Sequence, residues 1–186
     1  MDKTKYMLFH PTNKKREIDI PELIINNIKI ERVNSFKFLG ITIDNTLNWN
    51  KHVDNITTKI KQNNYLLNNI KHLIPIKSMR TMYYAHIFSH LNYGISVWGQ
   101  MLNITQLNKI DREHKKSVRY VTKNKYKTNY NKLYKELKIL KLDDIIKSET
   151  LKFTYRVNND LLPSSCKHYL ITKLMSIHII QEGKTI

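Results

Sequence analysis

The stretch SFKFLGITIDNTLNWNKHVDNITTKI, residues 35–60, contains the change of hydrophobic period that decides the fold. Its first part is rich in aromatic and β-branched residues, with Phe36 and Phe38 on one face and Leu39, Ile41 and Ile43 on the other. That pattern predicts a strand covered on both sides. Gly40 inside it marks a bulge, or a place where another backbone comes close. From Val53 the period becomes helical: Val53, Ile56, Ile60, Leu67 and Ile70 share one helix face, and the helix they line is entered through the polar segment NTLNWN and stops before Pro75.

Upstream of this switch the pattern stays extended. KTKYMLF (3–9) and ELIINNIKIERV (22–33) are strand-like, and Asn26-Asn27 has the chemistry of a hairpin turn. Three or four short antiparallel strands are expected. Downstream, helices are predicted from Ser78 to about Asn92, Thr105 to Thr122, Tyr130 to Leu137, and Asp143 to about Asn158 before Pro163. The fold class is therefore α+β, a small antiparallel sheet followed by a mainly helical bundle. The expected division is a β-rich region at 1–47, a helical region at 48–163 and a C-terminal tail at 164–186. With four glycines and four prolines in 186 residues, no flexible linker interrupts it.

Charge narrows the function class. Thirty-two Lys and Arg face 15 Asp and Glu, leaving +17, a self-repelling surplus that a polyanion would relieve. Nucleic acid is the expected partner. The surplus rises along the chain, from +2 over residues 1–50 to +5 over 51–100 and +7 over 101–150. No apolar run approaches the ~20 residues of a membrane span, and the lone Cys166 rules out an internal disulfide or a multi-thiolate zinc site. An intracellular location, nucleus or cytoplasm, is expected.

The helix at 105–122 carries two parallel stripes. Leu107, Ile110, Ser117/Val118 and Val121 form the apolar one; Lys109, Arg112, Lys116, Arg119 and Lys123 form a cationic ridge on the far side. A lysine-rich stripe is often just a solvated face, but residues 109–141 hold 12 basic against three acidic side chains. Four phosphate contacts on this ridge would cost on the order of a hundredfold in affinity for a fourfold rise in salt. Trp49, Trp98 and the tyrosines are either base-stacking platforms or core, with core favoured for Tyr83, Tyr84 and Phe88.

Catalytic constellations are missing. The glycines form neither a dinucleotide fingerprint nor a P-loop, and no nucleophile elbow is present. His86 and His90, at i and i+4, lack a third ligand at motif spacing. Asp143-Asp144 reads as an N-cap with an acidic first turn, and Asp44 as a cap or turn residue. No metal site and no catalytic residue is assigned.

The ordered series FLGITID, LNWNKH, YGISVWG (93–99) and KKSVRY (115–120), between KTKYMLF at the front and KLYKELKILKLDDIIKSETLKFTYRVNNDLLP (132–163) behind, resembles the C-terminal part of a reverse transcriptase from a jockey-like non-LTR retrotransposon. The resemblance implies that residues 1–47 correspond to the end of the palm, with Lys3 and Thr4 on the strand after the catalytic hairpin. It further implies that Phe38, Leu39 and Gly40 form the primer grip, that Trp49 and His52 mark the thumb entrance, and that the following helices track the template-primer duplex. The family enzyme is an RNA-directed DNA polymerase using two Mg2+ ions. Its aromatic-x-Asp-Asp motif belongs upstream of Lys3, and the later family pattern is lost after SIHII (176–180). The chain is thus expected to be truncated: it holds nucleic acid, is inactive alone, and works, if at all, beside the remainder of a reverse transcriptase. The competing expectation is a noncatalytic helical protein–protein interaction module with a solvated basic surface.

Overall fold

The computed structural model describes residues 4–11, 22–124 and 129–167. Strands come first, in three pairs. β1 (Lys5–Tyr6) lies beside β4 (Glu31–Arg32), and the hairpins β2 (Ile24–Ile25)–β3 (Ile28–Lys29) and β5 (Ser35–Phe38)–β6 (Ile41–Asp44) follow their own turns. The expected turn at Asn26-Asn27 is present, with φ of 50° and 59°, the left-handed pair a tight hairpin requires. One pairing differs from expectation: β1 and β4 run parallel, which the long connection between them permits and a tight turn would not.

The 36–43 segment is also corrected. It is not one strand with a bulge but a hairpin, Phe36 opposite Ile43 and Phe38 opposite Ile41, with Leu39 (φ 45°) and Gly40 (φ 85°) as its two turn residues. Only the Ile41–Ile43 arm packs on the helical core; Phe36, Phe38 and Leu39 are exposed.

Helices make up the rest. α1 spans Asn50–Ile70, α2 Ile76–Tyr83, α3 Ser89–Asn92, α4 Ile95–Trp98, α5 Ile104–Thr122, α6 Tyr130–Leu137 and α7 Leu142–Asn158. α2 runs into α3 through a single π turn, Tyr84–Phe88, so the helix expected from Ser78 to Asn92 is one nearly continuous rod that begins at Ile76, directly after Pro75. The acidic pair is corrected in part: Lys141 occupies the N-cap of α7, and Asp143 and Asp144 sit in its first turn, where their charge complements the helix dipole. No helix among the described residues is long and apolar enough to cross a membrane.

The stripes read from the sequence build the core. Val53, Ile56, Ile60 and Leu67 of α1 and Ile110, Ser117, Val118 and Val121 of α5 are buried against one another, while Ile70 and Leu107 lie half-buried at the margins. α1 starts without a cap from its own N-cap residue: Trp49 is left-handed (φ 63°), and its indole offers a donor but no acceptor. The preceding polar segment supplies an acceptor, Asn48 Oδ1, which takes the first helical N–H, that of Asn50, at 2.9 Å. Asp44 holds the turn ahead of it, accepting from the backbone N–H of Thr46, Asn48 and Trp49 at 3.0, 3.2 and 3.2 Å and from the Thr46 hydroxyl at 2.6 Å. Burial alone would push the Asp44 carboxyl up, but these hydrogen bonds outweigh it and hold it below its ordinary value. Of the two roles expected, cap or turn, Asp44 takes that of a turn residue.

Deep in the bundle His114, fully buried on α5, sits between two tyrosines: the Tyr83 hydroxyl is 2.8 Å from Nε2 and the Tyr134 hydroxyl 3.4 Å from Nδ1. Burial brings the imidazole pKa down to about 4.

Candidate nucleic-acid interface

α5 forms one wall of an open groove of about 800 Å³, which Lys71 and His72, just after α1, and Tyr130 at the start of α6 complete. Arg112, Lys116, Arg119 and Lys123 of the predicted ridge line it, and the fold adds Lys115, Lys71 and His72. Asp111 is the one acidic residue among the lining side chains, and it is paired with Lys115 one helical turn on, at 2.5 Å. Glu113, buried beneath the ridge, engages Lys116 at 2.9 Å and lies 3.8 Å from Arg112. Two tyrosines complete the lining. Lys71 Nζ lies 5.4 Å from the centre of the Tyr120 ring; over Tyr130 stand the Arg119 guanidinium at 4.8 Å and Lys115 Nζ at 5.7 Å.

Lys109, the first residue of the expected ridge, is placed elsewhere: it pairs with Asp54 of α1. The helical wheel explains why. At ~100° per residue Lys109 sits at the edge of the stripe and Lys115 at the opposite edge; the edge nearer α1 is neutralised and the other opens onto the groove. Lys71, Tyr120 and Tyr130 escaped sequence reasoning because only the docking of α1 and α6 on α5 brings them together.

Phe38, Leu39 and Gly40 form the tip of the β5–β6 hairpin, with Phe38 58% and Leu39 73% exposed. The tip is fastened by the YGISVWG segment. Tyr93 donates a 2.6 Å hydrogen bond to the Leu39 carbonyl, its ring closes over Gly40, and Ile41 packs against Gly94. Two blocks of the ordered series, 54 residues apart, thus meet in space. A smaller groove of about 330 Å³ runs between this hairpin and α1, flanked by Lys37 and Lys59.

Trp49 and His52 do not reach the surface. His52 stands between Trp49 and Trp98, ring centres 6.2 and 5.1 Å away in edge-on contact, and its Nδ1 accepts from the Thr42 backbone N–H at 3.2 Å. Burial, and secondarily Lys59, lowers its pKa, so it is held as the neutral ring. Trp49 and Trp98, 3% and 0% exposed, are core residues that seat the hairpin on the bundle; base stacking on either is excluded by burial. Thr4 is exposed just before β1, and Lys3 lies outside the described residues, as do residues 168–186 of the expected tail. Among the described residues no group of three or more His, Cys, Asp or Glu side chains gathers. The magnesium ions implied by the resemblance find no fitting ligand set there.

No protein-family model and no solved structure matches the chain. Curated relatives do. The chain is 22% identical over 140 residues to the probable RNA-directed DNA polymerase from transposon X-element of Drosophila melanogaster. It is 25% identical over 142 residues to the RNA-directed DNA polymerase from mobile element jockey of the same species, and 24% over 145 to that of Drosophila funebris. These alignments cover 74–76% of this chain but only 15–16% of each relative, so the chain spans a small part of their length. The ordered blocks and these three alignments agree that the chain is similar to part of the reverse transcriptases of jockey-like non-LTR retrotransposons.

Proposed function

We propose that the chain is the nucleic-acid-holding part of a retrotransposon RNA-directed DNA polymerase. In this reading residues 1–47 are the end of a palm, the Phe38-Leu39-Gly40 hairpin tip is its primer grip, and residues 48–163 are a thumb that holds a template-primer duplex. The sequence has no aromatic-x-Asp-Asp motif, and the chain by itself makes no phosphodiester bonds. The observation that carries the reading is the α5 groove, where six Lys and Arg side chains surround a single, already paired aspartate. Such a surface attracts phosphates and releases their counterions.

The test is titration of a labelled RNA–DNA hybrid duplex across a fourfold range of salt. Wild-type affinity should fall on the order of a hundredfold over that range. Changing Arg112, Lys116, Arg119 and Lys123 together to Gln should lower the slope by about 3, Lys116 being partly committed to Glu113, whereas Lys109→Gln, already committed to Asp54, should lower it by less than about 1. An unchanged slope in the quadruple variant overturns the reading, and primer extension by the purified chain overturns its noncatalytic part.

One observation favours a second reading, a protein-interaction module. Ile24, Ile25, Ile28, Phe36, Phe38 and Leu39 leave an apolar surface uncovered along the two hairpins, and short exposed strand edges are sites of association.

A further inference from the structure

The groove reading can be carried one step further, to which part of a nucleic acid is gripped. Aromatic side chains in a single-strand channel ordinarily serve as platforms for bases. Here both tyrosines of the groove already carry cations of the protein itself: Lys71 lies over Tyr120, and Arg119 with Lys115 over Tyr130. A ring in that role is a support that holds a long, flexible cationic side chain over the groove. The cations also have a definite extent. From Arg112 to Lys123, the C-cap of α5, there are eleven residue steps, about 16 Å at 1.5 Å per residue, and a duplex strand advances 3.4 Å per nucleotide, so about five phosphates fit alongside.

Resting on the function proposed above, we infer that the α5 groove grips one strand through about five consecutive phosphates, with its bases turned away, and that Tyr120 and Tyr130 are positioning residues for the gripping cations. Binding is then indifferent to base identity and even to base presence, because phosphate contacts carry no sequence information.

The experiment measures fluorescence anisotropy of the full chain with the hybrid duplex and with three short single strands: an ordinary one, an abasic one, and one whose central phosphates are neutral methylphosphonates. The ordinary and abasic strands should bind within about threefold of each other, while the methylphosphonate strand loses at least about tenfold. Tyr130→Leu should weaken binding about two- to fivefold through loss of the cation–π support, and Tyr130→Phe, which keeps the ring, should restore it. Thermal melts of both variants separate this loss from misfolding, since a folded Tyr130→Leu with normal affinity counts against the role. If the abasic strand loses more than tenfold, if Phe and Leu behave alike, or if only the duplex binds, the inference fails while the nucleic-acid function stands. If no nucleic acid binds, duplex included, both fall.

Discussion

Gly94→Ala is the sharpest test of how the FLG hairpin is joined to the bundle. Gly94 has φ +61°, and a Cβ placed on it would lie 2.6 Å from Ile41 Cδ1. The left-handed backbone costs an alanine about 1 to 2 kcal/mol. The steric clash is with the far end of a flexible side chain, so Ile41 escapes by leaving its rotamer at a cost of about 1 kcal/mol. The sum, about 2 to 3 kcal/mol, is a large share of a typical folding free energy of about 5 to 15. For a chain of this size it should lower Tm by roughly 4–12 °C. Differential scanning calorimetry reads the shift, and a double-mutant cycle divides it. Ile41→Val removes the clashing methyl, so in that background Gly94→Ala should cost about 1 kcal/mol less, leaving the backbone part alone. A Gly94→Ala melt within a degree of wild type, or a cost unchanged by Ile41→Val, refutes the contact.

Two further expectations concern the bundle and the hairpin. His114 is neutral in the fold until about pH 4 but takes up a proton near 6.5 when unfolded, so the unfolded state binds more protons between those values. Stability should therefore decline as pH falls from about 6.5 to 4, by on the order of 3 kcal/mol from this group. Urea unfolding of wild type and His114→Gln across that range checks it, and identical pH dependences would remove His114 as the cause. Tyr93→Phe deletes the 2.6 Å hydrogen bond to the Leu39 carbonyl and should cost about 1 kcal/mol, with faster amide exchange confined to the Phe38–Ile41 end of the hairpin; exchange unchanged there would show that the bond does not hold the tip.

The helices were legible because burial repeats with the helical period. Val53, Ile56 and Ile60, or Ile110, Val118 and Val121, announce a face whatever they pack against. Asn26-Asn27 was legible for a local reason, since asparagine tolerates positive φ. Leu39-Gly40 does the same work in β5–β6 with a residue that ordinarily avoids that region, so the segment read as one strand and its exposed arm as covered. The groove was half legible. Arg112, Lys116, Arg119 and Lys123 fall on one stripe by spacing alone, but which edge of the stripe opens, and that Lys71 and Tyr130 join it, depends on residues far away in the chain. For the tryptophans, composition is equally compatible with core and with a stacking platform, and only the packing of His52 between Trp49 and Trp98 decides for core.

The start of α5 has a consequence for the groove at its other end. Asn103 and Gln106 form a capping box, and the same Gln106 amide donates at 2.6 Å to both the Asn48 carbonyl and Asn50 Oδ1, at the start of α1. One side chain pins the beginnings of the two long helices together. Sliding them by a single turn, about 5.4 Å, would break both of the bonds that Gln106 makes to the start of α1, so Lys71 near the far end of α1 keeps a fixed offset from the α5 cations. The spacing of charge along the groove behaves as a ruler whose zero mark is a glutamine at the opposite end of the helix.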